Sequence, residues 1–554
     1  MMKRSKRGWT WQALVALVVS CLFLTAPAVV GAEDTETLKK QVDELKKQVD
    51  DMGDRLNKAE VHTATDKLAL GFELKTTAWS VHYEDALAAP SALVNGFFVN
   101  YDGTPTGGFN GATLAQFQGA MANMAMGGMI PPADKYNADN DILYTTRFRM
   151  NMKSKVNDNL NFMGRLSAYK VWGDSTGVNF NHGSMSDVSL DGTTASVPRG
   201  DTIHLERAYM NYKNEIGSLP YNFSLGRRPS TEGPPLEYAA NSLEGGSPFG
   251  AVINWQFDGA SLSFALEDAT GIPGAEFKLC YGMGFESDYG NSGSMSSNPQ
   301  VDDVHLMGFI SELYNNDVTS VGLMYAFAPD LTDGFAGTTV MPFIVSKADM
   351  NYDGVSEYYF EPNSGGFISR MEPSANIGDW HAASLLMRTK LEKMNDIDLF
   401  FSSSFSYTDP SQISNMPFYE MMGMGLLSSN GVLESHSGYS FYTGCQIPMP
   451  GKGKLGLEYN WGSKYWFNFT GAEDSLAGSK LAARGQVFEA YYHQPVVEDH
   501  FFLTLGGRYY DYDYTGSGNP LGAPVKITEV MSTDALFPVT DKVWDIYLSA
   551  NMKF

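Results

Sequence analysis

The chain has 554 residues, 18% of them charged and 13% aromatic, with 56 glycines and a formal net charge of −24 at pH 7. So acidic a chain is a poor match for nucleic acid, whose binding rests on neutralising phosphates with Lys and Arg. Mean hydropathy is −0.22, and no apolar run reaches the roughly 18–20 residues of a spanning helix, which excludes a helical membrane protein. What remains is a β-barrel, whose strands alternate apolar-out with polar-in and so average to a soluble hydropathy, or a large secreted β-protein.

The chain opens with Lys3, Arg4, Lys6 and Arg7, an apolar run from Ala13 to Leu24, and small residues at Val30-Gly31-Ala32. This pattern predicts a secretory signal over residues 1–32, with the mature chain starting near Glu33. Cys21, behind Val18-Val19-Ser20, offers lipoprotein processing as a rival, although apolar Leu22-Phe23-Leu24 follows it where a polar tether is expected. Residues 1–32 hold four basic and no acidic residues, so their removal takes the charge from −24 to −28. Acidic loops facing outward would hold divalent cations or draw in cationic solutes.

Leu38, Val42, Leu45, Val49, Met52 and Leu56 recur at spacings of 4, 3, 4, 3 and 4, the seam of a left-handed coiled coil. The pattern predicts a short periplasmic coil over residues 33–62 that joins copies of the chain into a homo-oligomer. A single amphipathic helix packed on something else is the alternative.

From residue 63 to 554 the period changes to two. Ile142, Tyr144, Thr146, Phe148, Met150 and Met152 alternate with Leu143, Thr145, Arg147, Arg149, Asn151 and Lys153, which puts an apolar and a cationic face on one strand. Val156-Asn157-Asp158-Asn159 turns into a strand from Leu160 to about Trp172. Further hairpins are predicted at Ala251–Leu266 around Asp258-Gly259, at His381–Tyr407, at Tyr439–Trp461 and at Gln486–Tyr510. Long Gly-, Ser- and Asn-rich connections fall at 84–140, 173–200, 286–302, 328–378, 409–435 and 513–540. Tight turns alternating with long loops are the asymmetry of an outer-membrane barrel, and the spacing predicts about 16 antiparallel strands, between about 14 and 18. At the end, Trp544, Ile546, Leu548, Ala550, Met552 and Phe554 alternate with polar residues. A terminal aromatic behind such a strand resembles the signal read by the bacterial barrel-assembly machinery, which would make that machinery a partner through Phe554. Outer-membrane lipid and lipopolysaccharide are the surroundings this predicts.

Several stretches carry a family resemblance: Gly164–Asp174, Glu206-Arg207-Ala208-Tyr209, Gly226-Arg227-Arg228-Pro229 with Gly233-Pro234-Pro235, Gly462–Trp466 and Tyr510–Pro520. With them the chain resembles a family of porin-like outer-membrane proteins catalogued as a domain of unknown function. The resemblance implies a signal peptide, often a coiled coil, and a barrel without a settled solute.

Arg147, Arg149, Arg165, Arg207, Arg227 and Arg228 load the polar faces of the early strands. An arginine facing lipid at the bilayer midplane costs about 2–4 kcal/mol, so these residues are expected in the lumen or at a rim. Facing acids such as Asp201, Glu206 and Glu232, they would set up a transverse field that selects solutes by charge and size. Simple Arg–Glu pairing to fill a narrow barrel explains them equally well. The Pro-rich run Arg228–Glu237 is no strand interior; it either folds into the lumen or forms an ordered surface loop. Asp349, Asn351, Asp353 and Gly354 match the opening of a Ca²⁺ loop with Glu357 nearby, but position twelve is Phe360, and an ordinary Asp-Gly turn is the default.

Cys280 and Cys445 read as small strand residues, bridged only if their strands are neighbours. No Cys-x-x-Cys-His haem site occurs, the nine His residues have no metal spacing, and no Gly-x-Ser-x-Gly elbow or Gly-rich phosphate loop is present. The chain is therefore expected not to be an enzyme and to need no cofactor beyond that loop calcium. Diffusion of small hydrophilic solutes or ions through the outer membrane is the first expectation. A sheath around a partner such as a multihaem cytochrome, and a structural tether to periplasmic partners, are the others.

Overall fold

The computed structural model describes residues 46–47, 68–90, 110–173, 203–242, 245–287, 301–334, 337–340, 343–362, 368–371, 373–422, 432–471, 473, 475–498, 500–518, 522–535 and 538–554. Two units divide the chain, Met1–Lys67 and Leu68–Phe554. Within the first, Lys46 and Lys47 are helical; the signal segment and the rest of the coil lie outside the described residues.

In the second unit, β1 (Leu68–Ala88) is followed by β2 (Ala112–Thr113), helix α1 (Leu114–Met126), β3 (Asp134–Lys155), β4 (Leu160–Val171), β5 (Ile203–Ile216) and β6 (Leu219–Arg227). A short helix α2 (Glu237–Ala240) precedes β7 (Asp258–Ala265), and α3 (Glu267–Thr270) leads to β8 (Glu276–Phe285), β9 (Val304–Asn315) and β10 (Thr319–Thr332). Four strands lie in one long connection: β11 (Gly337–Val340), β12 (Phe343–Ala348), β13 (Glu357–Pro362) and β14 (Ile368–Met371). The chain continues through β15 (Asn376–Leu391), β16 (Ile397–Pro410), helix α4 (Pro417–Met422) and β17 (His436–Met449). It ends with β18 (Gly453–Gly462), β19 (Gly485–Val497), β20 (Phe501–Tyr512) and β21 (Lys542–Lys553).

Sixteen of these strands close a barrel in the order β1-β21-β20-β19-β18-β17-β16-β15-β10-β9-β8-β7-β6-β5-β4-β3, every pair antiparallel. Alternation decides which way each side chain points. On β3, Ile142, Tyr144 and Phe148 are exposed on the outside while Thr145 and Arg149 are buried inside. On β21, Ile546, Leu548 and Met552 face out, and Asp545, Ser549 and Asn551 face in. An apolar exterior around a polar interior is the arrangement a bilayer requires. The fold is a transmembrane antiparallel barrel. Its seam is sealed by Phe554, whose carbonyl and amide bond Phe72 at 2.7 and 3.0 Å and whose ring lies 5.2 Å from that of Phe72.

The hairpins at 381–407, 439–461 and 486–510 fall where expected. The stretch 251–257 does not. It is buried throughout and lies outside the strands, while Asp258 and Gly259 already pair with Arg227 and Gly226 of β6. An apolar–polar alternation looks the same whether one face meets lipid or both faces are enclosed, which is why the pattern misled. A long loop over 463–484 also falls outside the anticipated connections. Cys280 on β8 and Cys445 on β17 lie on strands that are not neighbours, and both thiols are free.

Candidate functional site: a lumen crossed by two loops

The loop 228–257 leaves the wall between β6 and β7, and the loop 463–484 leaves it between β18 and β19. In the closed order these two gaps divide the strands into two halves of eight, so the loops spring from opposite walls. They meet inside. Asn254 donates its amide to the Phe469 carbonyl at 2.6 Å, Phe469 donates back to the Val252 carbonyl at 2.9 Å, and the Asn468 side chain reaches the Ala251 carbonyl at 2.8 Å. On the side of β8, β9, β10 and β15, aromatic residues of both loops (Phe249, Trp255, Phe467, Phe469) pack with Trp380, Met324 and Ile377 as a continuous apolar core. Pairing the backbone groups of both loops is what permits them to be buried there.

On β3, β4 and β5 the wall is cationic. Arg165 and Arg207 are direct cross-strand neighbours, and like charges so placed repel. The Glu232 carboxylate, carried in by the loop 228–257, lies among them. It accepts from Arg149 at 2.7 Å and Arg147 at 3.4 Å, with Arg165 at 3.5 Å and Arg207 at 3.9 Å. Two wall acids complete the cluster. Glu206 accepts from Arg149 at 2.9 Å and Arg165 at 3.2 Å, and Glu73 lies 3.6 Å from Arg165. Burial pushes the Glu232 carboxyl up, but Arg149, Arg147, Arg165 and Arg207 together hold it well below the ordinary carboxylate value. The loop can bring this residue so close because Gly233 lies where a Cβ would be 1.8 Å from the Pro248 carbonyl oxygen.

Residues 137–554 match the family described as "Protein of unknown function (DUF3373)". The chain belongs to that family. No curated protein matches it. Among solved structures it is similar to OmpT, an outer membrane protein of Vibrio cholerae, at 12% identity over 88% of this chain and 97% of that one, with a TM-score of 0.38. Salmonella typhi OmpF in complex with daunomycin matches at 11% identity over 88% and 99%, TM-score 0.40. Pseudomonas putida OprB matches at 10% identity over 90% and 96%, TM-score 0.40. At these scores the likeness says nothing about solute or residue roles.

Of the candidate residues in this DUF3373 chain, Arg147, Arg149, Arg165, Arg207, Glu206 and Glu232 thus converge on one point. Arg227 instead binds Asp258 at 2.8 Å, and Arg228 donates to Ser224 at 3.2 Å. Asp201 lies outside the described residues. In the calcium candidate, Asp349 accepts from the amides of Asp353 and Gly354, Asn351 from that of Asp353, and Glu357 from Asn351 and Met350. Those oxygens are turned inward to close an Asx turn, and no cluster of metal-binding residues occurs among the described residues.

An anionic pole on β18 and β19 was missed by the sequence reading. Glu458 and Glu489 are direct cross-strand neighbours, and the Lys480 ammonium from the loop 463–484 bonds both, at 2.5 Å from Glu489. Below the two loops, at the short-turn end, a cavity of about 1100 Å³ opens between Glu73, Lys153, Arg388, Lys454, His493 and Lys553, roofed by Glu237, Tyr238 and Asn241. Arg388 holds Glu237 at 2.7 Å, and Lys454 and Lys553 both donate to Asn241.

Proposed function

We propose that the chain is an outer-membrane porin-like channel for small hydrophilic solutes or ions, with a lumen narrowed by its own loops and no catalytic role. The observation that carries this reading is the pairing of an arginine wall on β3–β5 with a carboxylate wall on β18 and β19 inside one barrel. Fixed charges of opposite sign across a low-dielectric passage set up a transverse field, which sorts solutes by charge and dipole. On this reading the conduction path follows the charged residues of β3–β5, because apolar clusters pack the lumen on the side of β8–β10 and β15 and again on β19–β21 and β1. The 1100 Å³ cavity serves as the vestibule at the short-turn end. The same reading has the barrel surrounded by outer-membrane lipid and lipopolysaccharide, delivered there through Phe554, with the coil joining copies of the chain in the periplasm.

A sheath around a multihaem partner would need the lumen vacated, and two paired loops cross it, which counts against that role. A structural barrel that does not conduct is favoured by the same pairing and is the second reading. Purified protein in planar bilayers separates them. Stepwise conductance is expected, and the reversal potential in a salt gradient should move toward cations in Arg147→Ala/Arg149→Ala. A silent barrel refutes the channel, and an unmoved reversal potential removes these arginines from the path.

A further inference from the structure

Glu458 and Glu489 pose a chemical question. Both carboxylates are almost wholly buried, on neighbouring strands and in direct register, an arrangement that needs a cation or a proton between them. The cation present is tethered to a loop and is not part of the wall. Most of what surrounds it is wall, with Glu473 of the same loop beside it. Tyr442 and Tyr491 donate their hydroxyls to Glu458 at 2.6 and 3.0 Å, and Tyr547 donates to Glu489 at 2.8 Å. The Tyr442 ring centroid lies 5.3 Å from the Lys480 nitrogen. Two glycines make this possible. A Cβ at Gly456 would fall 2.0 Å from the Tyr491 ring, and one at Gly506 would fall 2.3 Å from that of Tyr547, so each tyrosine lies across a neighbouring strand to reach its carboxylate. Arg508, the next cation along the wall, is engaged by Asp545 at 2.8 Å.

We propose that this cage of Glu458, Glu489, Tyr442, Tyr491 and Tyr547 is a recognition site for primary ammonium groups of solutes, with Lys480 as its tethered competitor. The chemistry is specific. A primary ammonium brings three N–H donors and a point charge, matching two carboxylate oxygens and an aromatic face. A quaternary ammonium brings the charge without the donors. A solute bearing an amine displaces Lys480, and the loop 463–484 loses its ionic hold on the wall. The proposal rests on the channel reading for the solute's access to the cage, but binding itself can be measured without conduction.

The test uses full-length Lys480→Ala refolded in detergent, which vacates the cage, and Lys480→Met, which removes the charge while filling the space. The apparent melting temperature of Lys480→Ala should rise saturably with ethylammonium chloride and not with tetramethylammonium or sodium chloride at equal ionic strength, since only a ligand of the folded state stabilises it by mass action. Lys480→Met should not respond. No saturable rise, an equal rise with tetramethylammonium, or an equal response of Lys480→Met would overturn the site. Should Lys480→Ala fail to refold alone, its refolding yield against ethylammonium becomes the readout, and a yield that stays flat overturns the site as well. A barrel that binds ethylammonium but is silent in bilayers would sink the channel and leave the cage standing.

Discussion

Arg165 faces Arg207 across β4 and β5, as Glu458 faces Glu489 across β18 and β19. In each place a loop carries the opposite charge into the wall: Glu232 on 228–257, Lys480 on 463–484. The two differ in what surrounds the loop's ion. Around Glu232 the wall already holds Glu206 and Glu73, so its arginines keep carboxylate partners when the loop is gone. Around Lys480 the wall supplies carboxylates, tyrosine hydroxyls and one cation, Arg508, which also acts on Glu489 but is already engaged by Asp545. A like-charge pair on a barrel wall therefore acts as a socket for a loop. How tightly it grips depends on how far the wall is compensated without it.

That comparison predicts unequal costs. Lys480→Met keeps the apolar stem and strands two buried carboxylates. Removing one partner of a buried pair costs about 3–5 kcal/mol, so the guanidinium midpoint of the refolded barrel should fall far below that of the wild type. A loss under about 1 kcal/mol would show that solvent already reaches the cage and that the two sockets are alike.

Glu232→Gln should cost less, about 1–3 kcal/mol, and should raise single-channel conductance as the loop 228–257 loosens. Its pH dependence is set by the lowered carboxyl of Glu232. The charged form is the one the fold prefers, so its stabilising effect is complete above the ordinary value of 4.5 and fades as pH falls through the lower folded value. The stability gap between wild type and Glu232→Gln should stay level from neutral pH to about 4.5 and close below it. A gap that already closes between neutral pH and 4.5 would mean that the arginines do not hold this carboxyl down.

The two sockets were also unequally legible in the sequence. Arg147, Arg149, Arg165 and Arg207 stand on three strands consecutive in the barrel wall, at the polar positions of visible alternations, and Glu232 follows soon after in a run too rich in proline to be a strand. Period and charge sufficed to expect them inside the barrel. Glu73, their wall partner, was missed because it stands on β1, joined to β3 only through the long connection 89–133, and no local pattern announces its register opposite Arg149. Glu458 was visible as a lone carboxylate at an inward position between Leu457 and Tyr459, and Glu489 likewise beside Phe488. What the sequence did not show is their register, which depends on the length of the loop 463–484 between them. The same limit hid the meeting of 252–254 with 467–469, since two loops from opposite walls share no local signal.

The smallest expected effect bears on the same contrast from the other side. Glu473 belongs to the loop 463–484, where its carboxylate accepts from the Ser479 hydroxyl at 2.7 Å and the Lys480 amide at 3.1 Å. Burial pushes its carboxyl above the ordinary value of 4.5, outweighing Lys480 and these hydrogen bonds, so the fold prefers it protonated. The sign is opposite to that of Glu232: the contribution of Glu473 is most favourable below 4.5 and is lost as pH rises through the raised folded value. Glu473→Gln should therefore be close to neutral or slightly stabilising at pH 7, within about 1 kcal/mol, and should lose its advantage in acid. Chemical denaturation of wild type, Glu232→Gln and Glu473→Gln across pH would then give two curves of opposite slope, one for each loop. Parallel curves would mean that the loops are not held by separate ions, and the lumen would have to be treated as one coupled charge network.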